Sequence, residues 1–487
     1  MNRNVLYTIF ILSIIVIPIK ILLFNSLPFQ SSPDSANYIA VSQNISQNAC
    51  VSLSLPDEKK CRPDWGGNQL FGYPLILSII SFGDLDNLST AVFFQYLILS
   101  LSIIYFCYII KSKLEASTAA VCLIAILLSL SPFQLAWSRA ILTESIVIPL
   151  IIVIFASVIS DLVDKKLSII KWSVLLTFAI FVRYELLILC LIVPILSTRL
   201  YTLNVATKKT LCVALLVIVP ISLWITRSIN QGLIFPPNPK TAHEHIEYPT
   251  GVTKWFKTWA YKTEDNPLFI WKIFGGHYNQ LRVPARAFNN EQEKEKILFL
   301  LDKLKNHNGS SIPDDINNEF MAIAVKKIEG NPFNYWLFLP AKRVSSMVSD
   351  LLYSNNLPII LPEDDAIELK RRISNNLNVT GIVSIIYDYP SNTITRAIIA
   401  LYKVVIYVLF IFIILKLPSY QNDLKSLIYC CLSIVLSSVL FVIIFAITTE
   451  TRYLLLSLVS MELSVIITLN SKLDLKFNRS NEKSIIT

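Results

Sequence analysis

Four short stretches of this chain hold residue types that could do chemistry together. Asp34 lies in Ser32-Pro33-Asp34-Ser35-Ala36-Asn37-Tyr38. Arg139 and Glu144 lie in Ser138-Arg139-Ala140-Ile141-Leu142-Thr143-Glu144. Arg183 and Glu185 flank Tyr184, and Glu450, Arg452 and Tyr453 stand close together near the end. Each stretch has a carboxylate and three also have an arginine. A carboxylate on a loop can take the proton of an acceptor hydroxyl as a general base. Arginines facing it supply fixed donors for a departing phosphate and steady its developing charge. The pattern therefore suits group transfer from a phosphate leaving group.

The elements that must position these residues are set by composition. The chain has 487 residues, 54% hydrophobic and only 16% charged, where soluble domains carry about 25% charged residues. The apolar residues run in long blocks. This excludes a soluble enzyme, a disordered chain and a disulfide-dense secreted module, and leaves an all-α polytopic membrane protein. With only 11 glycines, a glycine-rich transporter or channel is a poor match. The net charge of +9 is accounted for by Lys and Arg in loops, and no nucleic-acid partner is expected.

A membrane-crossing helix needs roughly 20 apolar residues. Blocks at 5–24, 90–110, 143–160, 210–229, 396–416, 424–447 and 452–470 qualify, and 117–131 is a shorter one. The apolar stretch 167–198 reads as two spans, 167–182 and 184–198, meeting at Arg183-Tyr184-Glu185, which brings the expected total to about ten. Residues 70–83 are too short to cross and are expected to form an interfacial or re-entrant helix. The connections at 1–4, 111–116, 161–171, 199–209, 416–425 and 471–487 then share one side and carry fifteen Lys and Arg, against three on the short connections opposite. That bias predicts cytoplasmic termini. No small-residue cleavage site follows Leu22-Leu23-Phe24, so the first block is expected to be a retained span and not a cleaved signal.

Charges at membrane depth are costly and usually have a job. All four motif stretches fall on the outer face of this topology, so one shared outer site is expected. The plain alternative is helix-end charges that pair with each other or reach to headgroups. A site at lipid depth on the outer face has no access to cytosolic nucleotide donors, which favours a donor carried on a lipid. The expected organisation is an N-terminal membrane module at 1–229 with a first outer loop at 25–83. A mostly helical extracytoplasmic domain follows at 230–395, with helical stretches at 290–306 and 315–329. C-terminal spans and a cytoplasmic tail fill 396–487.

The residues resemble those of the GT-C class of integral-membrane glycosyltransferases, in particular the group similar to protein O-mannosyltransferases and the lipid A aminoarabinose transferase. The matching pieces are Ser32-Pro33-Asp34-Ser35 with Tyr38, Phe71-Gly72-Tyr73-Pro74-Leu75, Arg139 to Glu144 read as R-x-x-x-T-E, Arg183-Tyr184-Glu185 and Thr451-Arg452-Tyr453. The group usually has Pro where Tyr184 stands, and often where Thr451 stands. The resemblance implies a GT-C type bundle with Asp34 as catalytic base, a polyprenyl-phosphate sugar as donor and inversion at the anomeric centre. It implies substrate-binding roles for Tyr38, Tyr73, Arg139, Glu144, Arg183, Glu185, Glu450, Arg452 and Tyr453. No cofactor is expected, and with Ser35 beside Asp34 no second carboxylate supports a divalent metal. The acceptor would be a glycan, a lipid or a protein, and a bacterial plasma membrane is favoured. The alternative is a transporter or flippase of lipid-linked saccharides.

Smaller features remain. Cys50 and Cys61 lie in the outer loop, where oxidation is permitted, and could close a disulfide. His243 and His245 have no cysteine or acidic pair to complete a metal site, and a solvated loop is the plainer reading. Lys342-Arg343, after a helix-like run, could meet lipid phosphate or ordinary headgroups. Trp255, Trp259, Trp271 and Trp336 fit an interfacial belt, or stacking on sugar faces.

Overall fold

A computed structural model describes residues 3–26, 33–52, 71–81, 88–230, 249–307, 312–349, 388–420, 422–444 and 454–469. Among them the chain is all-helical, without a β-strand. Six helices are long and apolar enough to cross a membrane, within Leu6–Ser26, Leu88–Leu114, Glu144–Asp164, Leu203–Asn230, Ala397–Leu415 and Asn422–Ile443. They mark a membrane protein.

The membrane-side helices are α1 (Arg3–Ser26), α2 (Pro33–Asn48), α3 (Gly72–Ile80), α4 (Leu88–Leu114), α5 (Thr118–Ser129), α6 (Pro132–Trp137), α7 (Glu144–Asp164), α8 (Ile169–Val182), α9 (Ile192–Leu200) and α10 (Leu203–Asn230). The hub is α7. It is apolar all round and buried along nearly its whole length, as a helix without a polar face must be. Its neighbours include α4 and α8. By contrast α10 shows most of its apolar side chains to the outside, which in a bilayer is the lipid.

The stretch 167–198 breaks where its charges lie. Helix α8 ends at Val182, and Arg183 is extended (φ −160°, ψ 115°). The chain continues as a 3-10 helix over Tyr184–Leu191 before α9 begins. The second half is thus not one continuous α-helix, as 184–198 was expected to be. The 70–83 block contains α3, nine residues long and too short to span. It packs against α2, α4 and α8. Gly72 has no room for a side chain there. A Cβ would stand 2.3 Å from the Phe181 carbonyl oxygen.

One end of the bundle is clipped by ion pairs. Asp423, buried at the start of α16 (Asn422–Ile444), takes Arg199 of α9 at 2.9 Å and also Lys165, which closes α7 in a left-handed conformation (φ 53°). Lys113 of α4 meets Asp164 of α7 at 2.6 Å, and Trp172 of α8 donates to Asp161 at 2.6 Å. These ties hold the 111–116, 161–171, 199–209 and 416–425 connections at one end, the grouping expected from the cation bias.

Residues 249–349 form a second helical core. It comprises α11 (Thr250–Lys257), α12 (Glu291–Lys305), α13 (Asp314–Gly330) and α14 (Leu339–Ser349). Asn290 caps α12 by accepting from the Glu293 N–H at 2.8 Å, and α12 and α13 coincide within a residue with the expected helical stretches. Trp255 and Trp259 are buried here against Phe256, Phe269 and Phe320. They are core residues, which corrects their reading as an interfacial belt. Their indoles interlock edge to face, the geometry aromatic quadrupoles prefer. Trp271 and Trp336 are exposed. Helices α15 (Pro390–Leu415) and α17 (Leu455–Leu469) complete the described elements with α16.

Buried Arg343 of α14 donates to the carbonyls of Lys257 and Ala260. Burial pulls the Lys257 ammonium down to about 8, with Arg343 adding repulsion. The folded state then binds fewer protons than the unfolded chain between about pH 8 and the ordinary lysine value, so stability rises with pH across that window. Below it the cost is fully present. Lys257→Met should therefore stabilise the protein at pH 7, by an amount of order 1 kcal/mol, and the gain should vanish above pH 10.5. Thermal unfolding at pH 7 and pH 10.5 checks both halves. In the membrane module, Gly72→Ala must push α3 off α8 and should cost about 1–3 kcal/mol, read as a lower melting temperature of the purified protein.

Candidate functional site

The start of α7 and the chain just after α8 bring three of the sequence-predicted residues together. Arg183 makes ion pairs with both Glu144 and Glu185. Its Nη1 donates to Glu144, and its Nε and Nη2 donate to the two oxygens of Glu185. Three of the five guanidinium N–H groups are used on these two acids. The Thr143 hydroxyl donates to the other Glu144 oxygen at 3.1 Å.

Local structure explains why the three can meet. Glu144 and Glu185 each sit in the first turn of a helical segment, where unsatisfied N–H groups favour a negative charge. The extended backbone at Arg183 ends α8 and sets the arginine between them. All three side chains are largely buried. The cluster carries one positive and two negative charges, so it is acidic overall.

A narrow pocket adjoins this cluster. It is lined by Glu144, Arg183, Glu185, Val147 and Ile188 on one side, and by Ser437, Ser438 and Phe441 of α16 with Leu455 and Leu456 of α17 on the other. Its volume of about 20 Å³ admits about one water. A sugar ring would enter only if its walls moved apart. The chain between α16 and α17 follows Phe441 and precedes Leu455 in sequence. It carries Glu450, Arg452 and Tyr453, which lie outside the described residues, as do Cys61, His243 and His245.

Asp34 and Arg139 do not line this pocket. Asp34 stands in the first turn of α2, a helix and not the loop expected for it. Tyr38, one turn along, meets Tyr73 of α3 edge to face at 5.0 Å. The fully buried Tyr73 hydroxyl lies 2.8 Å from the Gln95 amide, which is also within reach of Ser145, the neighbour of Glu144. The Gln95 orientation that satisfies every neighbour accepts from Tyr73 and Ser145 and donates to the carbonyls of Ser138 and Ala140. Gln95 thus pins the backbone on either side of Arg139. Arg139 is buried beside Tyr96. Cys50 is disulfide-bonded and the six other described cysteines are free thiols, which leaves Cys61 as the remaining cysteine of the chain.

A second polar cluster went unread in the sequence. Lys20 of α1 donates to the Ser129 carbonyl at 2.8 Å. Glu462 of α17, fully buried, accepts from Ser131 at 3.0 Å and from Tyr402 of α15. Lys20 and Glu462 feel each other's charge. The signal was present: each is a lone charge within an apolar run, and such residues turn inward to partners.

No known protein family, curated protein or solved structure matches the chain.

Arg183→Met leaves two carboxylates facing each other out of water. Removing one partner of a buried pair costs about 3–5 kcal/mol, so this variant should melt well below the wild type. Adding Glu185→Gln should recover part of the loss. Unchanged melting of Arg183→Met would mean the three charges are separately solvated and do not act as a unit.

Proposed function

We propose that this chain is a membrane glycosyltransferase that moves a sugar from a polyprenyl-phosphate donor to an acceptor hydroxyl on the extracytoplasmic face, with inversion. The observation that carries this reading is Arg183 held between Glu144 and Glu185 beside a pocket, with Asp34 on α2, the helix whose Tyr38 packs on Tyr73 of α3. The motif resemblance to GT-C enzymes and the convergence of Arg183-Tyr184-Glu185 with Glu144 support it, as does the outer-face position that the cation bias gives both stretches.

In this mechanism Asp34 takes the acceptor proton as its oxygen attacks the anomeric carbon. The bond to the donor phosphate breaks on the opposite face, and the leaving group departs as polyprenyl phosphate. Glu144 and Glu185 hold Arg183 in one orientation, which lowers the reorganisation needed at the moment of reaction. Because the cluster is acidic overall, Arg183 alone does not make a phosphate site. Arg139 or Arg452 would add the positive charge. Ten spans, the GT-C bundle, cytoplasmic termini and a bacterial plasma membrane belong to the same proposal. No metal or other cofactor enters it.

A second reading is a transporter or flippase of lipid-linked saccharides. The buried Lys20 and Glu462 favour it, because charges inside a bundle often mark a transport path. Incubating the purified protein with a polyprenyl-phosphate sugar and a mixed acceptor pool separates the two. Transfer releases polyprenyl phosphate, whereas transport moves intact donor across a liposome wall. Asp34→Asn should keep the fold and slow release by about 10²–10⁴-fold, the usual worth of a general base. Wild-type turnover in that variant would remove Asp34 from the mechanism.

A further inference from the structure

Asn331–Phe338 has two chemically different faces. Asn331, Asn334 and Tyr335 follow helical spacing on one side, and Phe333, Trp336 and Leu337 follow it on the other. The segment forms a widened helical turn over Asn334–Phe338 that runs directly into α14. The apolar side is bare. Phe333 is 74% exposed, Trp336 67%, Leu337 59% and the adjoining Phe338 56%. Four large apolar side chains within six residues form a patch that soluble surfaces do not carry without a partner.

What covers the patch follows from where the segment is anchored. Met347 of α14 is buried with Val442 and Leu454, and Val344 and Val439 pack around them. Val442 belongs to α16, a helix long and apolar enough to cross the membrane, and it adjoins Phe441 at the rim of the Arg183 pocket. The patch is thus continuous with a contact to the end of a membrane helix. A helix with aromatic and aliphatic side chains on one face and polar ones on the other lies in the interface plane of a bilayer. Lys342, four residues past Phe338, stands over the Tyr261 ring at 5.5 Å.

The opposite face closes a cleft of about 500 Å³. Asn331, Asn334 and Tyr335 form one wall, and Phe288, Asn289 and Lys326 stand across it. No described carboxylate lines it. Lys327 also borders the cleft, but its charge is spent on Glu293 at 2.7 Å. Side-chain amides, a cation and two half-buried aromatic rings suit a ligand rich in hydroxyls, which is saccharide chemistry. A helix is about 10–12 Å across with its side chains, so the cleft sits one helix diameter from the patch, at headgroup level.

We infer that Asn331–Phe338 is a membrane-lying platform whose apolar face rests in the outer leaflet and whose polar face binds the saccharide headgroup of a glycolipid in the cleft behind it. Naming that glycolipid as the acceptor rests on the glycosyl-transfer reading; the binding does not. Anchoring through α14 beside Phe441 brings the bound headgroup to the side of the bundle where the Arg183 pocket lies.

Two measurements on the full chain in lipid nanodiscs test this. The first carries an environment-sensitive fluorophore on Trp336→Cys. Its emission should be quenched by lipids spin-labelled high on the acyl chain and shielded from aqueous iodide. Iodide quenching as strong as that at Lys303→Cys, on exposed α12, overturns the platform. The second uses a dihexosyl diacylglycerol in the disc, with native mass spectrometry reading its retention without any donor. The exposed-site double variant Asn289→Ala/Lys326→Ala should lose retention by about tenfold, the worth of one or two hydrogen bonds, and the free dihexose should bind at least about tenfold more weakly than the lipid form. Equal retention by wild type and variant overturns the cleft. Free dihexose bound as tightly as the lipid overturns the membrane source. Because no donor is present, failure of the transfer assay leaves this result standing, and failure here leaves the transfer assay untouched.

Discussion

Sharing Arg183 between Glu144 and Glu185 is the constraint on which the candidate site depends. Three charges taken from water carry a desolvation cost of several kcal/mol each unless they satisfy one another. Here one guanidinium serves both acids, and that requires the chain to stop being a helix at residue 183. Had α8 continued, Arg183 would have pointed along the helix surface with its neighbours three and four residues away. The extended residue and the 3-10 stretch after it are therefore part of the charge arrangement. They fasten the end of α8 to the beginning of α7, the most deeply buried helix in the bundle.

The far end of the bundle solves a related problem differently. Apolar helices in lipid gain little from packing side chains against each other, because lipid tails are as apolar as leucine. Polar ties must fix which helices are neighbours. Asp423 does this by taking Lys165 from α7 and Arg199 from α9 together. Fixing that end and the Arg183 end holds α7, α8 and α9 in register along their length. The two polar layers are separated by the apolar body of α7, so substitutions in one should leave the other intact.

How much of this was legible follows the range of each signal. The α12 and α13 boundaries were readable because an apolar face and polar flanks lie within each stretch. The break at Arg183 was readable because charges interrupt an apolar run, and the brevity of α3 because apolar length is a count. Pairing was not readable. Arg139 and Glu144 are near in sequence, yet Arg183 takes Glu144 while Arg139 is buried beside Tyr96. Trp255 and Trp259 look interfacial by type, but only the folded arrangement of Phe256, Phe269 and Phe320 around them makes them core. Lys20 and Glu462 are 442 positions apart, and no local pattern announces that they share a site. For Asp34 the expected loop is a helix, α2, and the meeting of Tyr38 with Tyr73 was not visible in the sequence.

Charge balance separates the three polar clusters by purpose. The Asp423 cluster has two cations on one acid near a helix start, which suits a clamp at an aqueous boundary. The Lys20 and Glu462 cluster has one charge of each sign, and both oxygens of its acid are satisfied, by Ser131 and Tyr402. The Arg183 cluster has one cation for two acids and borders a pocket whose other wall belongs to α16 and α17. Buried negative charge is costly to keep unless it is paired and hydrogen-bonded, and Glu144 and Arg183 have further partners beyond these three residues. Arg452 belongs to the α16–α17 connection, outside the described residues. A clamp has no need of a cavity at its side, whereas a site that must accept a ligand does. That asymmetry, and not the mere presence of charges among apolar helices, is what singles out Glu144, Arg183 and Glu185.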